Sequence, residues 1–195
     1  MKQVGITGGI GSGKTTICRI FEQLGIPVFN ADVEAKKLYD DAKMRAKVVK
    51  LFGKKVLAGN GTIDKKKLAE VVFNNKASLV KLNALIHPAV KQQFEAWVKK
   101  QKGAKYVLKE AAILIESGAN KGLDYIISIE SPNELRISRI INRDKVDDSD
   151  INKRINEQLS DKERSKYADA VIVNDEQHSL IEQVLKIHKK LSGKV

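Results

Sequence analysis

The sequence predicts an α/β protein built on a parallel sheet flanked by helices, and three observations predict it. Short apolar stretches rich in β-branched residues alternate with stretches whose apolar residues recur at helical spacing. A glycine-rich loop joins the first such strand to the first such helix. The 195 residues, 42% of them hydrophobic, suffice for one sizeable core, and no internal repeat or low-complexity linker divides them.

Taken in order, QVGIT reads as a short buried strand, ended by GGIGSGKTT, which is too rich in glycine to continue it. Ile17, Ile20, Phe21 and Leu24 then lie at i, i+3, i+4 and i+7, one helix face, and Gly25 with Pro27 stops that helix. A second strand, IPVFN, leads into a lysine-rich stretch of several short helices reaching about Lys102. The expected breaks are Gly53, the Gly59/Gly61 turn, Asp64 as an N-cap, and His87-Pro88, which would end one helix and open another. Val90, Phe94, Trp97 and Val98 share a face of the last helix, so Trp97 is read as core.

YVLKEAAIL and YIISIE return to strand character. Ser131 is expected to cap the next helix, with Pro132 in its first turn, Glu134 reaching back, and an end near Asp144. KVDDSD reads as an exposed turn before a short helix with Ile151, Ile155 and Leu159 on one face. A last strand, AVIVN, precedes a closing helix with Leu180, Val184, Ile187 and Leu191 on its buried stripe. His188 borders that stripe as a packing residue, and neither it nor His178 is assigned a function.

Composition narrows the function classes. Cys18 is the single cysteine, so there is no disulfide framework and no Cys/His zinc pattern, and a reducing compartment fits. No apolar run approaches the roughly 20 residues that span a bilayer. The opening MKQVGITGG lacks the regions of a signal peptide, so a cytoplasmic protein with no membrane partner is expected. The net charge of +12 favours polyanionic partners, from nucleic acid to nucleotides, without choosing among them.

The strongest signal is Gly8-Gly9-Ile10-Gly11-Ser12-Gly13-Lys14-Thr15, an ungapped fit to G-x-x-x-x-G-K-[ST] between a strand and a helix. Glycines let the backbone curl so that successive N–H groups face phosphate oxygens, and the helix that follows adds its positive end. The expected nucleotide contacts are Gly9, Gly11, Ser12, Gly13, Lys14, Thr15 and Thr16. Lys14 supplies charge to the β- and γ-phosphates, and the Thr15 hydroxyl is the expected Mg²⁺ ligand, so ATP and Mg²⁺ are the expected cofactors. The fold class is therefore that of the P-loop NTPases.

Phosphoryl transfer needs a group to orient and deprotonate the acceptor, and cations to offset charge on the moving phosphoryl. Asp32 follows the second strand at the carboxyl edge of the sheet, where such sheets hold their ligands; it is either the acceptor's base or a helix N-cap. Arg136, Arg139 and Arg143 are spaced by three and four and share one side of a helix, with Arg154 beyond the turn. They either clamp phosphates or form a solvated face, and the neighbouring turn gives the region the character of a lid that excludes water.

These segments together resemble the dephospho-CoA kinase family over nearly the whole chain. GITGGIGSGKTT is similar to its phosphate loop, and IPVFNADVEAKKL to the segment holding its catalytic aspartate, which puts that role on Asp32. LNALIHPAV resembles its His-Pro motif and implies a substrate-binding role for His87 beside that of Asp32; the pair is otherwise a plain helix break. ELRISRIINRD resembles its lid arginine segment, carrying phosphate contacts onto Arg139 and Arg143, and RINEQLSDKERSKYADAVIVN its C-terminal part with Gln158 and Ala168-Asp169.

The resemblance implies transfer of the ATP γ-phosphoryl to the ribose 3′-hydroxyl of dephospho-CoA, giving CoA and ADP in the last step of coenzyme A biosynthesis. It also implies one domain over 1–195: a core of 1–31, 104–141 and 165–195, a helical substrate-binding insert of 32–103 and a lid of 142–164. Two departures stand out. Asn30 replaces a usual aspartate, and KEAAILIE stands where the family reads Asp-x-Pro-Leu-Leu-x-Glu, making Glu110 a candidate for the metal's surroundings and matching Glu116 to the family's glutamate.

A regulatory GTPase is disfavoured, since neither Asn/Thr-Lys-x-Asp nor a switch Asp-x-x-Gly occurs. A nucleic-acid-dependent NTPase has the charge but no recognition motif, and aromatics are only 5% of the chain, too few for a base-stacking surface. The nearest rival is another P-loop kinase acting on a nucleoside monophosphate or other small molecule. The residues leave the oligomeric state open.

Overall fold

The computed structural model describes residues 1–73, 75–144, 155 and 158–193. Its contacts divide the chain into two compact units, Met1–Asn30 with Trp97–Val195 and Ala31–Ala96.

The first unit is built on five parallel strands, β1 (Lys2–Gly8), β2 (Val28–Asn30), β3 (Tyr106–Glu110), β4 (Tyr125–Glu130) and β5 (Ala170–Val173), in the order β2-β3-β1-β4-β5. The central β1 pairs with β3, setting Ile6 against Glu110, and with β4, setting Gly8 against Ile129. On β2, Asn30 also pairs with Glu110. Val4, Ile6, Tyr106, Leu108, Ile127, Ile129 and Ile172 of the strands pack with Ile17 and Phe21 of α1 (Lys14–Gln23) and with Val184, Ile187 and Leu191 of the closing helix. Burial of such side chains contributes roughly 1.5–3 kcal/mol each. Because the sheet is parallel, all its carboxyl edges face one way, and Gly8, Asn30, Glu110 and Glu130 end their strands there.

The second unit is helical: α2 (Ala31–Lys37), α3 (Ala42–Phe52), α4 (Lys65–Phe73) and most of α5 (Lys76–Lys100), joined by two short 3₁₀ turns. Asp41 caps α3 through a 2.8 Å bond from the Met44 N–H. Asp64 does the same for α4, accepting from Lys66 at 2.9 Å, as its position in the sequence predicts. Met44, Val48, Phe52, Val56, Leu68 and Val72 form its interior.

Several elements depart from the sequence expectations. His87-Pro88 does not divide two helices: α5 runs through Pro88 as one 25-residue helix. Leu82, Ile86, Val90 and Phe94 step along one buried stripe on both sides of the proline, and that packing outweighs the one backbone hydrogen bond proline forfeits. YVLKEAAIL is strand only to Glu110; the chain then leaves the sheet in turns, after the Ala111 N–H bonds the Ile6 carbonyl at 3.1 Å.

Ser131 does not cap the helix after β4. That helix, α6 (Asn133–Asp144), begins one residue later, the Arg136 N–H bonding the Pro132 carbonyl, and the Ser131 hydroxyl instead donates to the Asn174 carbonyl at 2.8 Å. Residues 145–154, with the KVDDSD turn, Ile151 and Arg154, lie outside the described residues, as do 156 and 157. Leu159 is in no helix; it precedes α7 (Asp161–Ser165), which opens on a capping box between Ser160 and Glu163. The closing helix, α8 (Leu180–Ser192), buries the predicted stripe, and His188 at its edge bonds the Tyr106 hydroxyl at 2.9 Å. No described helix is long and apolar enough to cross a membrane.

Candidate active site

The glycine loop leaves the carboxyl end of β1 and enters α1, whose first intrahelical bond runs from the Ile17 N–H to the Gly13 carbonyl. Gly13 sits at φ 88°, a left-handed conformation that costs glycine nothing and other residues dearly. Space is a second constraint there, because a Cβ on Gly13 would strike Asn174 Nδ2, which donates to the Ser12 carbonyl at 2.8 Å. A Cβ on Gly9 would collide with the Arg136 guanidinium. The loop's curl is thus required from outside as well as by its own backbone.

Within it, Lys14 Nζ donates to the carbonyls of Gly8 at 2.8 Å and Gly9 at 3.1 Å. Ser12 is fully buried, and among the described residues its hydroxyl has no hydrogen-bond partner. Thr15 Oγ1 donates to Glu110 Oε1 at 3.1 Å, and Asn30 Nδ2 donates to Glu110 Oε2 at 2.6 Å. Glu110 is only 4% exposed. An amide on β2 thus orients the glutamate at the end of β3 against the hydroxyl of the loop. Cys18, one helix turn along, is buried beside this carboxylate; burial first, then the charges of Glu110 and Glu22, push its thiol far above the ordinary range, so it stays protonated.

Thr15 and Glu110 present hard oxygen donors side by side, the chemistry Mg²⁺ selects, so the residues present fit that ion. Gly9, Gly11 and Gly13 lie in the loop, and Thr16 lies in the first turn of α1.

The arginines of α6 are graded by depth. Arg136 is 4% exposed and donates through Nε to the Ile10 carbonyl at 2.9 Å. Burial lowers its pKa. Arg139 Nη1 donates to Ser131 Oγ at 3.0 Å, while Nη2 donates to Asn174 Oδ1 at 3.3 Å and pairs with Glu176 at 3.0 Å. Arg143 is exposed in the last turn. Gln158 Oε1 accepts from the Ile10 N–H at 2.8 Å, and Glu116 Oε1 accepts from Leu159 at 3.1 Å. Asp169 ties β5 to β4 by accepting from the Ile126 N–H at 2.8 Å.

Asp32 and His87 belong to the second unit, Asp32 in the first turn of α2 and His87 in the middle of α5. Asp32 is not the N-cap of α2, which starts at Ala31. Sequence reasoning offered Arg136 only as a phosphate clamp or a solvated residue, not as a support of the loop backbone, and left Asn174 out of the site. Arg136 had a signal, its place on one face with Arg139 and Arg143; Asn174 had only its position at the carboxyl end of the last strand.

A wholly parallel sheet with a phosphate loop after its central strand, and an acid from the adjacent strand against the loop's threonine, defines a P-loop kinase. The dephospho-CoA kinase family model matches residues 2–179. A dephospho-CoA kinase from Fusobacterium nucleatum is 41% identical over 172 residues, covering 88% of this chain and 89% of that protein. The dephospho-CoA kinase structure from Campylobacter jejuni is 31% identical at a TM-score of 0.68, covering 99% and 98% of the two chains. A Thermus thermophilus crystal structure superposes at a TM-score of 0.88 with 28% identity, covering 97% and 96%. The chain belongs to the dephospho-CoA kinase family.

Proposed function

We propose that this chain transfers the γ-phosphoryl group of ATP to the ribose 3′-hydroxyl of dephospho-CoA, releasing CoA and ADP in the last step of coenzyme A biosynthesis. The observation that carries the reading is the Thr15–Glu110–Asn30 chain beside an intact phosphate loop, in a family match that spans residues 2–179. In this reading Asp32 accepts the proton of the 3′-hydroxyl as that oxygen attacks the γ-phosphorus. The bond from the γ-phosphorus to the bridging oxygen breaks, and its electron pair leaves with ADP. Lys14, Arg139 and Arg143 offset charge on the phosphoryl oxygens, and the loop amides with Gly9, Gly11, Ser12, Gly13 and Thr16 hold the phosphates.

Thr15, with Glu110 beside it, would hold Mg²⁺, which would supply charge neutralisation on the phosphates. The helical unit that includes His87 binds the acceptor, 142–164 forms the lid, and the core comprises 1–31, 104–141 and 165–195. Cys18, buried and reduced, suits the cytoplasm, where the reaction is placed.

An ADP-release assay with ATP·Mg²⁺ tests this by comparing dephospho-CoA, AMP, CMP and RNA. Turnover with dephospho-CoA alone is expected. Preference for AMP or CMP would make the chain a nucleoside monophosphate kinase, and stimulation by RNA a nucleic-acid-dependent NTPase.

A further inference from the structure

We propose that Arg136 and Gln158 are positioning residues that grip the Ile10 peptide groups from both sides and so set the phosphate loop before nucleotide arrives. This rests on reading Gly8–Thr15 as the phosphate site. Ile10 lies mid-loop, where main-chain groups otherwise bond phosphate or water. Its N–H instead donates to Gln158 Oε1 at 2.8 Å, and its carbonyl accepts from Arg136 Nε at 2.9 Å. The two side chains come from positions 148 and 126 residues further along the chain, so neither contact is local.

Arg136 is itself fixed. Its Nη1 donates to Asn133 Oδ1 at 3.2 Å and lies 3.7 Å from Asp161 Oδ1. Asp161 also pairs with the fully buried Arg164 at 2.6 Å and accepts from the Ser131 N–H at 3.2 Å. Two buried guanidinium groups thus share one carboxylate, an arrangement that hydrophobic side chains of similar volume would make cheaper. Its return is geometric. The guanidinium fills the space a Cβ on Gly9 would take, and the Arg136 backbone fills the space a Cβ on Gly11 would take. A loop shaped in advance loses less entropy on binding phosphates.

Isothermal titration of the full chain with ATP·Mg²⁺, run beside steady-state kinetics with dephospho-CoA, tests the grip. Arg136→Met is expected to weaken ATP binding roughly 10- to 100-fold, the worth of a charge-assisted hydrogen bond, while the KM for dephospho-CoA stays within about two-fold. Arg136→Lys, which keeps a cationic donor, recovers part of the loss. Gln158→Ala removes a single acceptor and decides the matter where Arg136→Met does not fold. It is expected to weaken ATP roughly 3- to 10-fold and to speed hydrogen exchange at the Ile10 amide. A folded Gln158→Ala with unchanged ATP affinity and unchanged Ile10 exchange overturns the proposal, as does equal loss toward both substrates. Lys14→Ala in the same titration isolates the underlying reading. If it also binds ATP normally, the phosphate site is misassigned; if it alone weakens binding, only the grip is wrong.

Discussion

Asn30 Nδ2 lies 2.6 Å from Glu110 Oε2, so an amide at the end of β2 holds the carboxylate at the end of β3. A second carboxylate at position 30 would repel the glutamate, whereas the amide donates to it. Asn30→Leu deprives a buried carboxylate of a donor and is expected to cost about 1–3 kcal/mol. Thermal unfolding should show it as a Tm lower by roughly 2–4 °C per kcal/mol.

Glu110 stands beside the Thr15 hydroxyl, the proposed ligand of Mg²⁺. Glu110→Ala is therefore expected to raise the Mg²⁺ concentration for half-maximal turnover about ten-fold or more. Affinity for ATP without metal should stay within about two-fold. A Mg²⁺ titration of activity, paired with nucleotide binding in EDTA, measures both; an unchanged metal requirement would confine Glu110 to structure.

Asp32→Asn keeps shape and removes the base. With Asp32 in the first turn of α2 and not at its cap, the substitution should leave folding intact and lower kcat by about 100-fold or more, with ATP affinity unchanged. Pre-steady-state phosphoryl transfer from ATP is the direct measurement.

Gly13→Ala meets two obstacles, a left-handed backbone at φ 88° and the Asn174 side chain. Strain of about 1–3 kcal/mol is expected. The loop should distort in relieving it, so nucleotide affinity falls along with Tm, whereas an exposed glycine-to-alanine change would leave affinity alone. Titration calorimetry and thermal unfolding on one preparation distinguish the cases.

The Asp175 carboxyl is held down to about 2 by the backbone N–H groups of His178 and Gln177, then by the His178 ring. Its folded value lies below the unfolded value of about 3.9, so its contribution is complete above that pH and is lost as pH falls toward 2. The Tm difference between the wild type and Asp175→Ala should accordingly shrink as pH is lowered from about 4 to about 2.

Much of this was legible in the sequence because its causes are local. Ile17 and Phe21 took the face that their spacing assigns to α1, Asp64 capped α4, and the loop motif fell between β1 and α1. Readings failed where a distant group supplied the deciding energy. Ser131 has the chemistry of a cap, yet its hydroxyl is claimed by Asn174, and Pro88 is carried through α5 by side chains buried on either side.

By itself the sequence determined the strand-loop-helix order and the loop whose amides and lysine suit a triphosphate, since periodicity and glycine content act within a few residues. Only the tertiary structure decided that Glu110 is oriented by Asn30, that Arg136 is buried against Ile10 while Arg143 stays at the surface, and that Asn174 bounds Gly13. Those are contacts between residues far apart in the chain, and nothing short of the folded sheet brings their atoms within hydrogen-bonding range.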